Sequence, residues 1–148
     1  MGSEMCIRDS SKASDVICLG EVLQSKTLRN EEGALQTQII IEVNDYIKGA
    51  PTEGSRLTVV TPGGRLGDEV SYAPHSPQFH PSELVLLFLK GSEGQTYEIL
   101  NTYEGRFTVF PGPMSQEPVV IGFEPQGDAL RPAIARNLDE VLEELKGE

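Results

Sequence analysis

Residues Leu84-Val85-Leu86-Leu87-Phe88-Leu89 form an unbroken apolar run with neither the alternation of a half-solvated strand nor the period of an amphipathic helix. Successive side chains of a strand point to opposite faces, so a strand of this composition needs apolar cover on both. It therefore reads as the central buried strand, and the rest of the chain must supply two covers. Other strand patterns surround it. Val16 to Leu23 is apolar on both parities, with Gly20 marking a bend or bulge. Leu35 to Val43 alternates, with Leu35, Thr37, Ile39, Ile41 and Val43 on one face and Gln36, Gln38 and Glu42 on the other. Asn30-Glu31-Glu32-Gly33 is the turn between them.

Arg56 to Thr61 predicts a third strand, stopped by Pro62-Gly63-Gly64. Residues 62–83 show no period and carry Pro62, Pro74, Pro77 and Pro81, which predicts a long irregular connection of the kind that usually has a function. Tyr97 to Asn101 and Arg106 to Phe110 read as further strands, the latter with an edge open to pairing, and Val119-Val120-Ile121 as a short last one. At the C-terminus Leu138, Val141, Leu142 and Leu145 fall on one helical face, with Asn137 as N-cap and Asp139 and Glu140 in the first turn. A second option starts a longer helix at Pro132 and includes Ile134. The expected fold is mostly β: a small OB-like barrel with a long loop between its third and fourth strands and a C-terminal amphipathic helix. The expected organisation is a disordered, non-native tail over 1–13, a barrel domain over 14–112, and an extension over 113–148 whose strand and helix dock on the barrel.

Composition excludes some functions. The chain has 148 residues, 12 basic against 23 acidic, and a formal charge of −11. Such a field repels phosphates, whose binding needs clustered Lys and Arg, and the aromatic residues are scattered and include no Trp. No nucleic-acid partner is expected. No run is long enough for a membrane span, and the dispersed charge favours a monomer. Cys6 and Cys18 make no disulfide framework, and Cys18 reads as a buried hydrophobe.

The tail 1–13 lacks any apolar period, and its Met5-Cys6-Ile7-Arg8-Asp9-Ser10 resembles the translation of a sequencing adapter at the end of an assembled metagenomic read. Further resemblance lies in Ala13-Ser14-Asp15-Val16-Ile17-Cys18-Leu19-Gly20-Glu21-Val22, and in Ile41-Glu42-Val43 leading to Ile47-Lys48-Gly49. It continues in Pro62-Gly63-Gly64 with Gly67, in Pro77-Gln78-Phe79 before the apolar run, and in Glu104-Gly105-Arg106-Phe107. Together these resemble a family of uncharacterised, often exported bacterial OB-fold-like domains over residues 13–110. Ser82-Glu83 stands where that family usually has Gly-Glu. The resemblance implies a barrel and an extracytoplasmic home, periplasmic or secreted, and no particular activity. A looser likeness is to the OB-fold of tissue inhibitors of metalloproteinases and netrin domains. Those inhibitors use an N-terminal cysteine and a disulfide framework, which this chain does not have.

Candidate chemistry gathers in the 62–83 loop. Arg65, Asp68, Glu69, Tyr72, His75 and His80 are the candidate binding residues. His75 and His80 with Asp68 and Glu69 contain reasonable zinc donors, but His-x4-His in a proline-rich loop is not a metal-ligand spacing, and no metal or cofactor is expected. Ser71, Ser76 and Ser82 lack the glycine pattern of a nucleophile elbow, so no catalytic residue is assigned. Pro62-Gly63-Gly64-Arg65-Leu66-Gly67 lacks the Lys and the following helix of a phosphate loop, and serves to reverse the chain. The expected function is a non-enzymatic, exported binding module that uses this loop to hold another protein or a small extracellular ligand. The alternatives are a metal-dependent or hydrolytic enzyme built on His75 and His80, and a structural fragment of a larger envelope protein.

Overall fold

The computed structural model describes residues 7–49, 55–92, 96–110 and 117–146. The chain is mostly β. Helix α1 (Ile7–Ala13) precedes strands β1 (Val16–Arg29), β2 (Leu35–Lys48) and β3 (Arg56–Pro62). A small hairpin, β4 (Gly64–Leu66) and β5 (Glu69–Ser71), interrupts the long connection to β6 (Leu84–Ser92). Strands β7 (Thr96–Ile99), β8 (Arg106–Phe110), β9 (Val119–Gln126) and β10 (Ala129–Asn137) follow, and helix α2 (Leu138–Lys146) ends the described chain.

Five strands close into a ring in the order β1-β2-β3-β7-β6, with β6 pairing back onto β1 and β3 running parallel to β7. The apolar run is the hinge of this arrangement. Leu89 pairs with Val16 on one edge and Ile99 on the other, while Val85, Leu86 and Leu87 pair with β1 and also with Thr108, Phe107 and Arg106 of β8. One edge of β6 therefore has two successive partners, and the sheet forks there. The later half of β6 continues through β7 into the ring. Its earlier half continues through β8 into a wing made of β9 and β10.

The two faces of β6 meet two different cores. Val85, Leu87 and Leu89 point into the ring with Cys18, Ile39, Ile41 and Val59. Leu86 and Phe88 point out, against Phe107, Val109 and Val120 of the wing and Leu138, Val141 and Leu145 of α2. That double burial is why the run shows no alternation. The chain switches edges through 100–105. The Phe88 amide donates to the Gly105 carbonyl at 2.8 Å and its carbonyl accepts from the Leu100 amide at 3.0 Å, so one residue clamps both ends of the excursion. Gly105 has no room for a side chain, because an added Cβ would strike the Phe88 carbonyl oxygen and the Leu100 amide.

Most strand positions follow the sequence pattern, and the bulge at Gly20 is present as a register shift between Leu19 and Gly20. Helix α2 occupies Leu138–Lys146, capped by Asn137 Oδ1, which accepts from the Glu140 amide at 3.1 Å. Four expectations are corrected. The described part of the tail, Ile7–Ala13, is helical, with Ser10 and Ser11 buried, and the Lys48 ammonium donates to the Ser11 carbonyl at 2.6 Å. Pro132 starts no helix, since it lies in β10 beside an irregularity in the pairing with β9, where a missing N–H is tolerated. Strand β8 is not isolated, because residues 106–108 pair with β6 and residues 108–110 with β9. The 62–83 connection is not structureless, since it contains the β4–β5 hairpin. Cys6 lies outside the described residues.

Gly105→Ala should cost at least ~1–3 kcal/mol through overpacking against backbone that cannot move aside. Gly91→Ala, whose added Cβ would make only an ordinary contact with Asp15, should stay within about 0.5 kcal/mol of the parent. Chemical denaturation of both variants checks the pair, and equal losses would place the constraint elsewhere.

Candidate functional site

The fork of the sheet leaves a groove of about 1030 Å³ between the far end of the β1–β2 hairpin and the β8–β9–β10 wing, and the 62–83 connection runs through it. The β4–β5 hairpin presents Gly64, Arg65, Val70 and Ser71 to the groove. Arg65 sits directly across from Val70, and both line it, as does Tyr72 two residues on. Leu66 and Glu69, the next pair along, do not, and Glu69 forms an ion pair with Arg29 at the end of β1. Gly64 lets the hairpin lie close, because a Cβ there would meet the hydroxyls of Thr27 and Thr37, and its φ of 136° is one that a side chain would strain.

The connection is tied down along its length. Ser76 Oγ donates to the Pro62 carbonyl at 3.0 Å. The His75 amide donates to the Asp128 carbonyl at 3.0 Å, the Tyr72 hydroxyl donates to the same oxygen at 3.0 Å, and His75 Nε2 lies 2.7 Å from the Gly127 carbonyl. The last three contacts fall on the β9–β10 turn. His75 holds a left-handed φ of 62° to make them, with its ring edge-on to Tyr103. At the other end the Ser82 amide donates to the Val22 carbonyl at 2.7 Å, and the Val22 amide donates to the Glu83 carbonyl at 2.9 Å.

The anchor beneath the groove is a buried ion pair. Arg106, 6% exposed, donates from Nη2 to Glu83 Oε2 at 2.6 Å and to the Gln78 carbonyl at 2.8 Å. Its guanidinium is sandwiched between the rings of Phe79 and Phe123, 4.8 and 4.7 Å from their centroids. Glu83 also accepts from Thr108 Oγ1 at 2.8 Å and from the His80 amide at 3.1 Å. Burial pushes the Glu83 carboxyl up, but the hydrogen bond and charge of Arg106, helped by His80 and Thr108, outweigh it and hold the group below the usual carboxylate range. Arg106 Nε is buried with no hydrogen-bond partner among the described residues. One cation thus holds the loop (Phe79, Gln78), the start of β6 (Glu83) and the wing (Phe123) together.

Four of the six sequence-predicted residues, Arg65, Tyr72, His75 and His80, line the groove, whereas Asp68 and Glu69 do not. His75 is spent on the β9–β10 turn, and among the described residues no group of three or more His, Cys, Asp or Glu side chains is placed to hold a metal ion. Burial pushes the Cys18 thiol up to about 12, which leaves it un-ionised and unreactive.

Sequence reasoning did not single out Arg106, Glu83, Phe123, Val70 or Phe110. The available signal was a charge at each end of a buried pattern, Glu83 before the apolar run and Arg106 at the head of an otherwise apolar strand. The groove carries exposed apolar side chains, with Val70 65%, Tyr72 67% and Phe110 50% accessible. No protein-family model matches the chain, and a search of curated proteins finds no match. Among the described residues no helix is long and apolar enough to cross a membrane.

Arg106→Met should destabilise by ~3–5 kcal/mol, because it leaves the Glu83 carboxylate buried without its partner. Glu83→Gln should cost less, and the gap between it and the parent should depend on pH. A carboxyl whose folded pKa is depressed stabilises above its unfolded pKa, and that contribution is lost as pH falls through the folded value. Urea melts at pH 7 and at stepwise lower pH below about 4.3 should therefore show the gap closing. A gap independent of pH would mean that ionised Glu83 is not what holds the loop.

Proposed function

We propose that the chain is a non-enzymatic, exported binding module whose contact surface is the groove bordered by the 62–83 connection. The observation that carries this reading is the set of exposed apolar side chains, Val70, Tyr72 and Phe110, lining one open groove on a framework tied down at both ends. Apolar side chains left in water are costly when clustered, and a cluster fixed beside a cavity is what a recognition surface needs. The tethering supports the same reading, because a loop already ordered loses little entropy when a ligand arrives.

The five-stranded ring supports the OB-like resemblance, and the resemblance in turn motivates the exported half of the reading. The negative field that disfavours phosphate-bearing partners acts at this surface too.

A thermal-shift screen over soluble glycans, short peptides and divalent cations tests the reading. A ligand at 100-fold its Kd should add ~2.7 kcal/mol, raising Tm by about 5–10 °C for a domain of this size. The double variant Val70→Asp with Phe110→Asp should abolish that shift while keeping the parental fold by circular dichroism. A ligand that shifts parent and variant equally would remove the groove from the function.

A further inference from the structure

We infer that the ligand of the groove is an uncharged glycan chain, with sugar rings laid on the faces of Tyr72 and Phe110. The inference rests on the binding reading and names its ligand class. Three observations lead to it.

The first is charge. The chain carries −11 overall, yet among the described residues the charged ones that line the groove are Arg65 and Arg106 against Glu83 and Asp128, a formal balance of zero. An anionic ligand would approach against the protein's whole field, and the described lining offers a cationic one no surplus of carboxylate to hold it in place. An uncharged ligand depends on neither.

The second is the way the aromatics are held. Tyr72 is 67% exposed although its hydroxyl is fixed to the Asp128 carbonyl, so the ring is anchored at its tip while most of its surface stays open. Phe110, half exposed at the end of β8, lines the same groove. Sugar rings present flat arrays of C–H groups to such surfaces, and the aromatic keeps little conformational entropy to lose.

The third is unspent hydrogen-bonding capacity. Every other arginine whose side chain is described pairs with a carboxylate: Arg29, Arg56, Arg106, Arg131 and Arg136. Among the described residues Arg65 has none, although the chain holds nearly twice as many acids as bases, and its one hydrogen bond there is from Nε to the Gly67 carbonyl at 3.3 Å. The Gln78 amide and the Ser71 hydroxyl also line the groove without a partner among the described residues. Donors and acceptors dispersed between aromatic faces match a polyhydroxylated ligand better than a purely apolar side chain. The groove volume, at the upper end of ~300–1,000 Å³ for small-ligand sites, leaves room for several rings.

Native electrophoresis of the full chain in gels containing soluble mixed-linkage β-glucan, galactomannan or dextran tests this, with polygalacturonate as the acidic counterpart. Retardation by at least one neutral polysaccharide is expected. Tyr72→Ala and Phe110→Ala should each weaken it by about tenfold, while the exposed, remote Asn44→Ala leaves it unchanged. Both aromatic variants alter exposed side chains, and unchanged Tm and circular dichroism establish that they fold.

Retardation by polygalacturonate alone, or retardation that survives both aromatic substitutions, overturns the inference. If no polysaccharide retards the chain while a peptide or cation still gives a groove-dependent thermal shift, the glycan assignment falls and the binding reading stands. If nothing shifts or retards it, both fall together.

Discussion

Strand β6 must be covered on two faces and paired on two edges at once, and the architecture follows from how those demands are met. Its inward residues, Val85, Leu87 and Leu89, need the interior of a closed sheet, and its outward residues, Leu86 and Phe88, need a second layer. Strand β1 takes one edge along most of its length, which leaves a single edge for both β7 and β8. The sheet can satisfy both only by forking. Closure through β7 makes the ring, continuation through β8 makes the wing, and α2 lies over the outward face that neither layer would otherwise cover. The groove is what remains between the two branches.

Arg106 converts that fork into a site. A guanidinium buried at this depth is tolerable only with a charge partner and hydrogen bonds, and the Glu83 carboxylate, the Gln78 carbonyl and two phenylalanine faces supply them. Because those groups come from the loop, the start of β6 and the wing, satisfying one buried cation also sets the position of all three. The exposed residues of the groove are then held by secondary ties, from Tyr72 and His75 to the β9–β10 turn and from Ser76 to Pro62. The groove therefore has rigid support beneath and open apolar surface above.

Local signals in the chain were legible wherever a residue's neighbours in sequence are also its neighbours in energy. The N-cap at Asn137 and the apolar face of α2 depend on residues three and four apart, and the structure has both. The alternation of β2 and the bulge at Gly20 are likewise set by strand periodicity. Strands β9 and β10 were harder to see, because Gly122, Pro125 and Pro132 break the pattern and the pairing is rescued by β8 on one side and the β9–β10 turn between them. Helix α1 is short, and packing contributes to it through Ser10, Ser11 and Lys48, which no local pattern announces.

By itself the sequence determined that this chain is mostly β, that 84–89 is buried on both faces, that residues 138–146 are helical, and that a long proline-rich connection precedes 84–89. Periodicity and composition carry that information because burial repeats along the chain. Only the tertiary structure decided which members of that loop face a common groove. Arg65, Val70 and Tyr72 do and Asp68 and Glu69 do not, Glu69 being taken up by the ion pair with Arg29 at the end of β1. It also decided which residues from strands far along the chain share that groove, Phe110 and Phe123, since what lies across a fork depends on how the sheet divides and leaves no trace in local pattern.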